Sequence, residues 1–320
     1  MSQQNNLPLV SIVIATYNGE RFLEKQLNSI LQQTYPNIEV VVVDDCSTDG
    51  TMALLRRYEA QYPQVQVYAN EQNLGYVKNF EKGMLLAKGN YIAPSDQDDI
   101  WLPEKISVLM AAIGDYDIVY CNSALMNDAD QLVGRQLSDV KQLLDFNDPV
   151  MYAIGNSAPG HAMILQRKTV LESVPLPEMI PHDHWLSFVA TFHNGLHFVD
   201  QPLVQYRQHD ANVFGATKLK SATDAGSLRP VVRKKKAGKK ERYAKIRERV
   251  QLMYEKCPDE LPIQKQFFKD MLDCYQSFSL WNNCRRVALF FRHRHKILSF
   301  KRRPEWRRWL FCIKMYWSLQ

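Results

Sequence analysis

Residues 10–51 read "VSIVIATYNGERFLEKQLNSILQQTYPNIEVVVVDDCSTDGT", and that one stretch holds a strand, a helix, a second strand and the start of another helix. "LVSIVIA" (9–15) and "IEVVVVDD" (38–45) are short, β-branched and almost continuously apolar, as strands covered on both faces of a parallel sheet are. Between them Phe22, Leu23, Leu27, Ile30 and Leu31 recur at steps of three and four. They make one apolar stripe on a helix over 20–32, with Glu20 in its favourable first turn. Ser47 or Thr48 is the expected cap of the next helix, whose inner face carries Leu54, Leu55 and Tyr58.

The alternation continues outward. Strands are expected at 65–70, 90–94, 117–122, 160–166 and 196–207, and helices at 76–88, 103–113 and 182–193. Such a chain predicts an α/β fold, a three-layer α/β/α sandwich around a mostly parallel sheet. Ligands of open α/β sheets bind beyond the carboxyl ends of the strands, so strand-ending residues carry the functional information. Here they are polar and acidic: Thr16, Tyr17 and Asn18 after the first strand, Asp44 and Asp45 after the second. After the fourth, "APSDQDDIWL" (94–103) sets Asp96, Asp98 and Asp99 within four positions. Like charges that close raise one another's pKa unless something positive sits among them. The acidic turn lacks the Gly and the distant Glu of an EF-hand, and no G-x-G-x-x-G follows the first strand to suggest dinucleotide binding. Taken alone, the turn can equally be a cap for the helix near Pro103.

Charge divides the chain in two. Residues 1–214 hold 13 Lys and Arg against 25 Asp and Glu, whereas 215–320 hold 27 against 9. The 320-residue length suits one catalytic unit (1–214) with an appendage: a basic linker (215–250) and a basic, aromatic-rich helical extension (251–320). No basic start followed by an apolar core suggests a secretory leader, and no apolar run is long enough to span a bilayer. A cytoplasmic chain is expected. Its six cysteines lie far apart without a C-x-x-C pair, which points to reduced, mostly buried thiols rather than zinc or disulfides.

The 10–51 stretch, then "NLGYVKNFEKG" and "GNYIAPSDQDDIWLPEKI", in this order and spacing, resemble the N-terminal half of family 2 inverting glycosyltransferases, which have the GT-A fold. "SDQDDIW", "HDHWL" and "YRQH" are similar to a bacterial rhamnosyltransferase-like branch, and the likeness covers roughly residues 8–214. It implies a nucleoside diphosphate sugar as donor and Mg²⁺ or Mn²⁺ held by the acidic turn, since carboxylates suit those ions and the diphosphate needs neutralising. Asp98 would be the direct metal ligand, Asp96 would reach the ribose or a metal-bound water, and Asp99 would orient the site. Thr16 and Tyr17 would flank the base and Asp45 contact the nucleotide, although Asp45 also suits a pre-cap position. Lys78 and Asn79 would approach the diphosphate from a helix start, or Lys78 would be a solvated lysine. Asp183 in "IPHDHWLSF" falls where the family carries its catalytic base, with His182 and His184 replacing the commoner Glu-Asp pair; an N-cap is the bland alternative. Arg207 and His209 would close over the phosphates, or Arg207 would pair with an acid of this half. Trp101, His161 and His182, with Asp99, are weaker candidates for the acceptor side, and simple packing serves the histidines equally well. The acceptor implied is a glycan or lipid-linked saccharide of bacterial surface polysaccharide synthesis.

In 280–320, aromatic and aliphatic side chains interleave with Arg and Lys, the composition of an interfacial helix on anionic lipid. Docking onto the acidic half, an oligomer contact and nucleic acid are the other readings, nucleic acid the least favoured. A non-catalytic membrane or nucleic-acid adaptor is the alternative to an enzyme.

Overall fold

A computed structural model of the chain describes residues 7–208 and 239–316. Its strands are β1 (Val10–Thr16), β2 (Ile38–Asp44), β3 (Val65–Ala69), β4 (Tyr91–Ser95), β5 (Ile100–Trp101), β6 (Ile118–Met126), β7 (Leu132–Gln136), β8 (Met163–Gln166) and β9 (Leu196–Arg207). They form one sheet in the order β3-β2-β1-β4-β8-β6-β9-β5, with β7 paired to β6. The long registers, β1 with β2 and β4, β2 with β3, and β6 with β9, are parallel. The antiparallel pairings are short: β8 runs against both β4 and β6, β5 against β9, and β7 against β6.

Helices α1 (Glu20–Leu31), α2 (Thr51–Gln61) and α4 (Lys105–Ala112) cover one face. There Leu23, Leu27, Ile30, Leu55 and Leu109 pack on Ile12, Ile14 and Val42. Helices α3 (Tyr76–Leu86), α5 (Arg167–Ser173) and α6 (His182–Ala190) cover the other. The C-terminal helices α7 (Lys239–Lys256), α8 (Pro262–Cys274), α9 (Leu280–Arg292), α10 (Arg294–Ile297) and α11 (Glu305–Lys314) join that second layer. Phe268 of α8 meets Phe188 of α6 edge to face with centroids 5.5 Å apart, and both belong to the apolar core that also contains Val13, Val43 and Phe80. The acidic and basic parts of the chain therefore share one core, each fully buried aromatic contributing roughly 1.5–3 kcal/mol of transfer free energy.

Several local expectations shift. The cap of α2 is Gly50, not Ser47 or Thr48. Ser47 instead donates its hydroxyl to Asp44 (2.6 Å), and Asp49 accepts from the Thr51 N–H (3.0 Å). The first part of 160–166 is a 3₁₀ turn, Gly160–Ala162, ahead of β8. Helix α7 crosses the expected linker boundary at 250. Strands β5 and β7 and helix α5 went unread, being two, five and seven residues long. Of the cysteines, Cys121, Cys257, Cys274 and Cys312 are buried, and Cys46 and Cys284 are exposed; all are free thiols. Among the described residues no helix is long and apolar enough to cross a membrane.

Candidate active site

The reversal at β8 assembles the site. Because β8 runs against β4 and β6, its leading turn Gly160–Ala162 lies at the same edge as the carboxyl ends of β1, β2, β4, β6 and β9. Gln97 fastens two of these ends, accepting from the Tyr17 N–H (2.9 Å) and donating to the Tyr17 carbonyl (3.1 Å). Gly19 lies close beside it: a Cβ there would come 2.3 Å from the Gln97 Oε1, so a larger residue would displace the Gln97 side chain.

Among the described residues, the group able to hold a metal ion is Asp96, Asp99 and His161, whose donor atoms all lie within 4.8 Å of one another. The His161 Nδ1 is 3.7 Å from Asp96 Oδ2 and 3.8 Å from Asp99 Oδ2. Its Nε2 is 3.1 Å from the Ser123 hydroxyl, and Tyr206 stacks on the ring at 4.2 Å. Asp99 is fully buried; its Oδ1 accepts from the Arg207 N–H (2.9 Å) and its Oδ2 has no hydrogen-bond partner. Burial first, then the neighbouring Asp98 and Asp96 charges, push the Asp99 carboxyl well above its ordinary value. Desolvation also works upward on Asp96, but the hydrogen bond and charge of His161, with His182 and Lys105, outweigh it and hold that carboxyl below the usual range. Two carboxylates and an imidazole, with a buried oxygen lacking a donor, suit a divalent cation, and the mixed oxygen and nitrogen set favours Mn²⁺ over Mg²⁺.

Lys105, which the sequence reading missed, lies beneath this cluster. It is fully buried, donates to the His161 carbonyl (2.6 Å) and sits 3.0 Å over the Trp101 ring. Burial lowers its pKa to about 7 despite nearby Asp99 and Asp96. Its sequence signal was faint, a single lysine in an apolar helix.

The structure groups the candidate residues as follows. Asp98, read as the direct ligand, lies outside the cluster, and Asp99 and His161, read as orienting and acceptor-side groups, lie within it. Pairing of Ile100 with Gln205 and the bond from the Arg207 N–H turn Asp99 inward. Trp101 is 2% exposed and packs in the core, so it does not face an acceptor. Arg207 does not present its fork at the edge: it pairs with Asp130 (2.5 Å), bonds the Asp98 carbonyl through Nε (2.7 Å) and stacks over Phe22. Asp45 uses both carboxylate oxygens on Asn70, Leu74 and Gly75, which holds the loop before α3. Thr16 is buried and donates to Asp44 (2.8 Å), whereas Tyr17 is exposed at the rim. Asn79 is buried against the Val43 carbonyl (2.8 Å), and Lys78 is tied to Glu81 and the Leu176 carbonyl. His209 lies outside the described residues.

Asp183 sits in the first turn of α6, where Pro181 rather than Asp183 holds the N-cap position. Its two histidine neighbours are held by packing. His182 stacks on Phe80 at 4.0 Å, and His184 lies 2.7 Å from the Tyr152 carbonyl through Nε2. Both are buried and Asp183 is partly exposed. Burial lowers the pKa of His182 and takes His184 to about 3, so both rings are neutral at physiological pH. Gly160 joins the two halves of the site: a Cβ there would meet His182 Nε2 at 2.6 Å and Asp183 Cβ at 3.4 Å, while the adjacent His161 belongs to the acid cluster. Tyr76, raised to about 12 by burial, also feels both Asp183 and Asp96.

The architecture is that of GT-A type glycosyltransferases. Staphylococcus aureus TarS in complex with UDP-GlcNAc superposes with a TM-score of 0.57 over 90% of this chain and 81% of that one, at 17% identity. A mannosyltransferase of Pyrobaculum calidifontis, in complex with GDP-Man and Mn²⁺, gives 0.50 over 91% and 76%, at 18% identity. The chain belongs to glycosyl transferase family 2, whose model matches residues 11–173. It is 30% identical to the dTDP-rhamnosyl transferase RfbG of Shigella flexneri over 220 residues, 63% of this chain and 74% of that protein. Other curated relatives are matched over 32% to 66% of their own length.

Proposed function

We propose that the protein is a metal-dependent, inverting glycosyltransferase that moves a sugar from a nucleoside diphosphate donor to a hydroxyl of a glycan or lipid-linked saccharide in bacterial surface polysaccharide synthesis. The observation that carries this reading is the Gly160–His161 step, which sets a partly exposed carboxylate, Asp183, against an acid cluster fit for a divalent ion. Asp96, Asp99 and His161 would hold Mn²⁺, which neutralises charge growing on the departing diphosphate. Asp183 takes the acceptor hydroxyl's proton as that oxygen bonds to the anomeric carbon. The bond from that carbon to the phosphate oxygen breaks on the opposite face, and its electron pair leaves with the diphosphate. His182 and His184, neutral and buried, position α6 and leave proton transfer to Asp183. Tyr17 at the rim is the exposed candidate for flanking the base.

RfbG makes a dTDP-linked rhamnose the first donor to try. Thermal unfolding of the full chain with dTDP-rhamnose, UDP-GlcNAc or GDP-mannose, each with and without Mn²⁺, is the test, because a specific ligand stabilises the native state by mass action. One donor raising the midpoint only with the metal present is the expected outcome. Stabilisation by none of them, or by NAD without metal, would overturn the reading.

A further inference from the structure

Helix α11 has two apolar sides. Phe311, Cys312 and Met315 are buried in the core with Phe290. On the other side Trp306, Trp309, Leu310 and Ile313, spaced three, four and seven apart, form one stripe that is 46–57% exposed. Phe291 of α9 lies 5.8 Å from the Trp309 ring and carries the stripe onto a second helix. There Ala288, Cys284 and Trp281 continue it outward at the matching spacing, Trp281 being 71% exposed.

The charge along these helices is almost all of one sign. Residues 280–316 contain 11 Lys and Arg, among which Arg286 is buried and Lys296 pairs with Asp148, and one acid, Glu305. That acid is already held by Arg294 (2.6 Å) and Trp309 Nε1 (3.0 Å). Arg307 and Lys314, seven residues apart, border the same edge of α11, and both are exposed. Among the described residues neither is paired with a carboxylate.

We infer that the exposed face of α9 and α11 is a docking surface for an anionic lipid bilayer, on which the two helices lie in the interfacial plane. A second copy of the chain is the poorer occupant, since a self-complementary contact would bring this one-signed rim against itself. Indole rings suit the boundary between headgroup and acyl chain, and unpaired arginines and lysines suit a negative headgroup layer. The buried side of α11 is anchored in the protein core, so the face is presented rigidly and no segment has to fold on contact. Nothing in this inference depends on the chemistry of the strand-edge site.

The experiment is sedimentation of the full chain with vesicles of phosphatidylcholine, alone or mixed with phosphatidylglycerol, at low and high salt, with tryptophan emission followed in parallel. The wild-type chain should pellet with the anionic vesicles at low salt and shift its emission to the blue. Trp309→Glu/Leu310→Glu should lose at least about tenfold in partitioning, and Arg307→Glu/Lys314→Glu roughly fivefold or more for each site. Because all four side chains are on the surface, an unchanged thermal transition separates lost binding from lost folding. A wild-type chain that stays in the supernatant with anionic vesicles, or a Trp309→Glu/Leu310→Glu variant that pellets as well as wild type, overturns the inference. So does a wild-type dimer in light scattering that this same variant dissociates, because the stripe is then a contact between copies.

Discussion

The strand-edge cluster sets its acids against His161 and the buried Lys105, whereas the α9/α11 helices carry many cations and a single acid, and the two regions treat charge in opposite ways. At the edge Asp99 is drawn inward to zero exposure while Asp96 stays partly exposed beside it, and each acid alters the ionisation of the next. On the outer face Arg307 and Lys314 stand in solvent, where salt screens them and single pairs matter little. Buried charge selects a partner by geometry, whereas exposed charge responds only to its sign. The first arrangement fits a single ion, and the second fits an extended surface.

The largest effect should fall on Asp183, the partly exposed carboxylate in the first turn of α6. Asp183→Asn keeps the shape and the bond from the His184 N–H to the side-chain oxygen, but removes the carboxylate proposed as the base. Transfer should drop by about 10³-fold, within the range for a positioned general base, with donor stabilisation in the presence of Mn²⁺ retained. Full turnover by this variant would remove Asp183 from the mechanism.

A second measurement asks whether the two regions are mechanically separate. Phe268→Ala empties a fully buried site of α8 against Phe188 on the helix that carries Asp183. A loss of about 3–5 kcal/mol is expected from the transfer and cavity terms. It should appear in one cooperative transition, with turnover falling as well. Two separate transitions would instead show that the C-terminal helices fold on their own.

The longer strands and helices through residue 207 were legible because buried parallel strands and amphipathic helices leave unmistakable periods, as in "IEVVVVDD" and Phe22 to Leu31. Strand β5 left none, because two residues carry no period. The location of the site was legible as well, since strand ends are fixed once the strands are. Which acids group together was not. Asp98 and Asp99 are adjacent in sequence, and which one turns inward depends on the pairing of β5 with β9, a contact 105 positions distant between Ile100 and Gln205. Arg207 was likewise read toward phosphate, because its partner Asp130 lies in a connection without pattern. In the C-terminal region, composition announced the aromatic and basic residues, but only the packing separates Phe311 and Met315 inside from Trp306 and Trp309 outside.

Asp99→Asn sharpens the account of the buried side. Asparagine keeps an oxygen for the Arg207 N–H and removes a charge crowded by Asp98 and Asp96. Because the folded-state pKa of Asp99 is raised, its ionisation costs stability, and that cost appears as pH rises above the ordinary carboxyl value. Without metal the variant should therefore be more stable than wild type at neutral pH, by about 1–3 kcal/mol. It should lose most of the gain in midpoint that Mn²⁺ gives the wild type. A variant that is no more stable without metal, yet gains as much from Mn²⁺, would move the ion away from Asp99.

The smallest effect lies at the seam between the two regions. His184 of α6 and Arg249 of α7 both approach the Tyr152 carbonyl, at 2.7 and 3.4 Å. Burial, then the Arg249 charge, brings the His184 pKa to about 3. Between the unfolded value near 6.5 and that figure the unfolded chain binds a proton that the folded one does not, so stability is full above pH 6.5 and falls as pH is lowered through this window. The slope from this one group approaches about 1.4 kcal/mol per pH unit. His184→Gln retains a donor for Tyr152 and carries no titrating proton, so its stability should fall less steeply over the same window. If the variant follows the wild-type curve, the acid sensitivity arises elsewhere, and the seam is not where protonation loosens α6 from the basic extension.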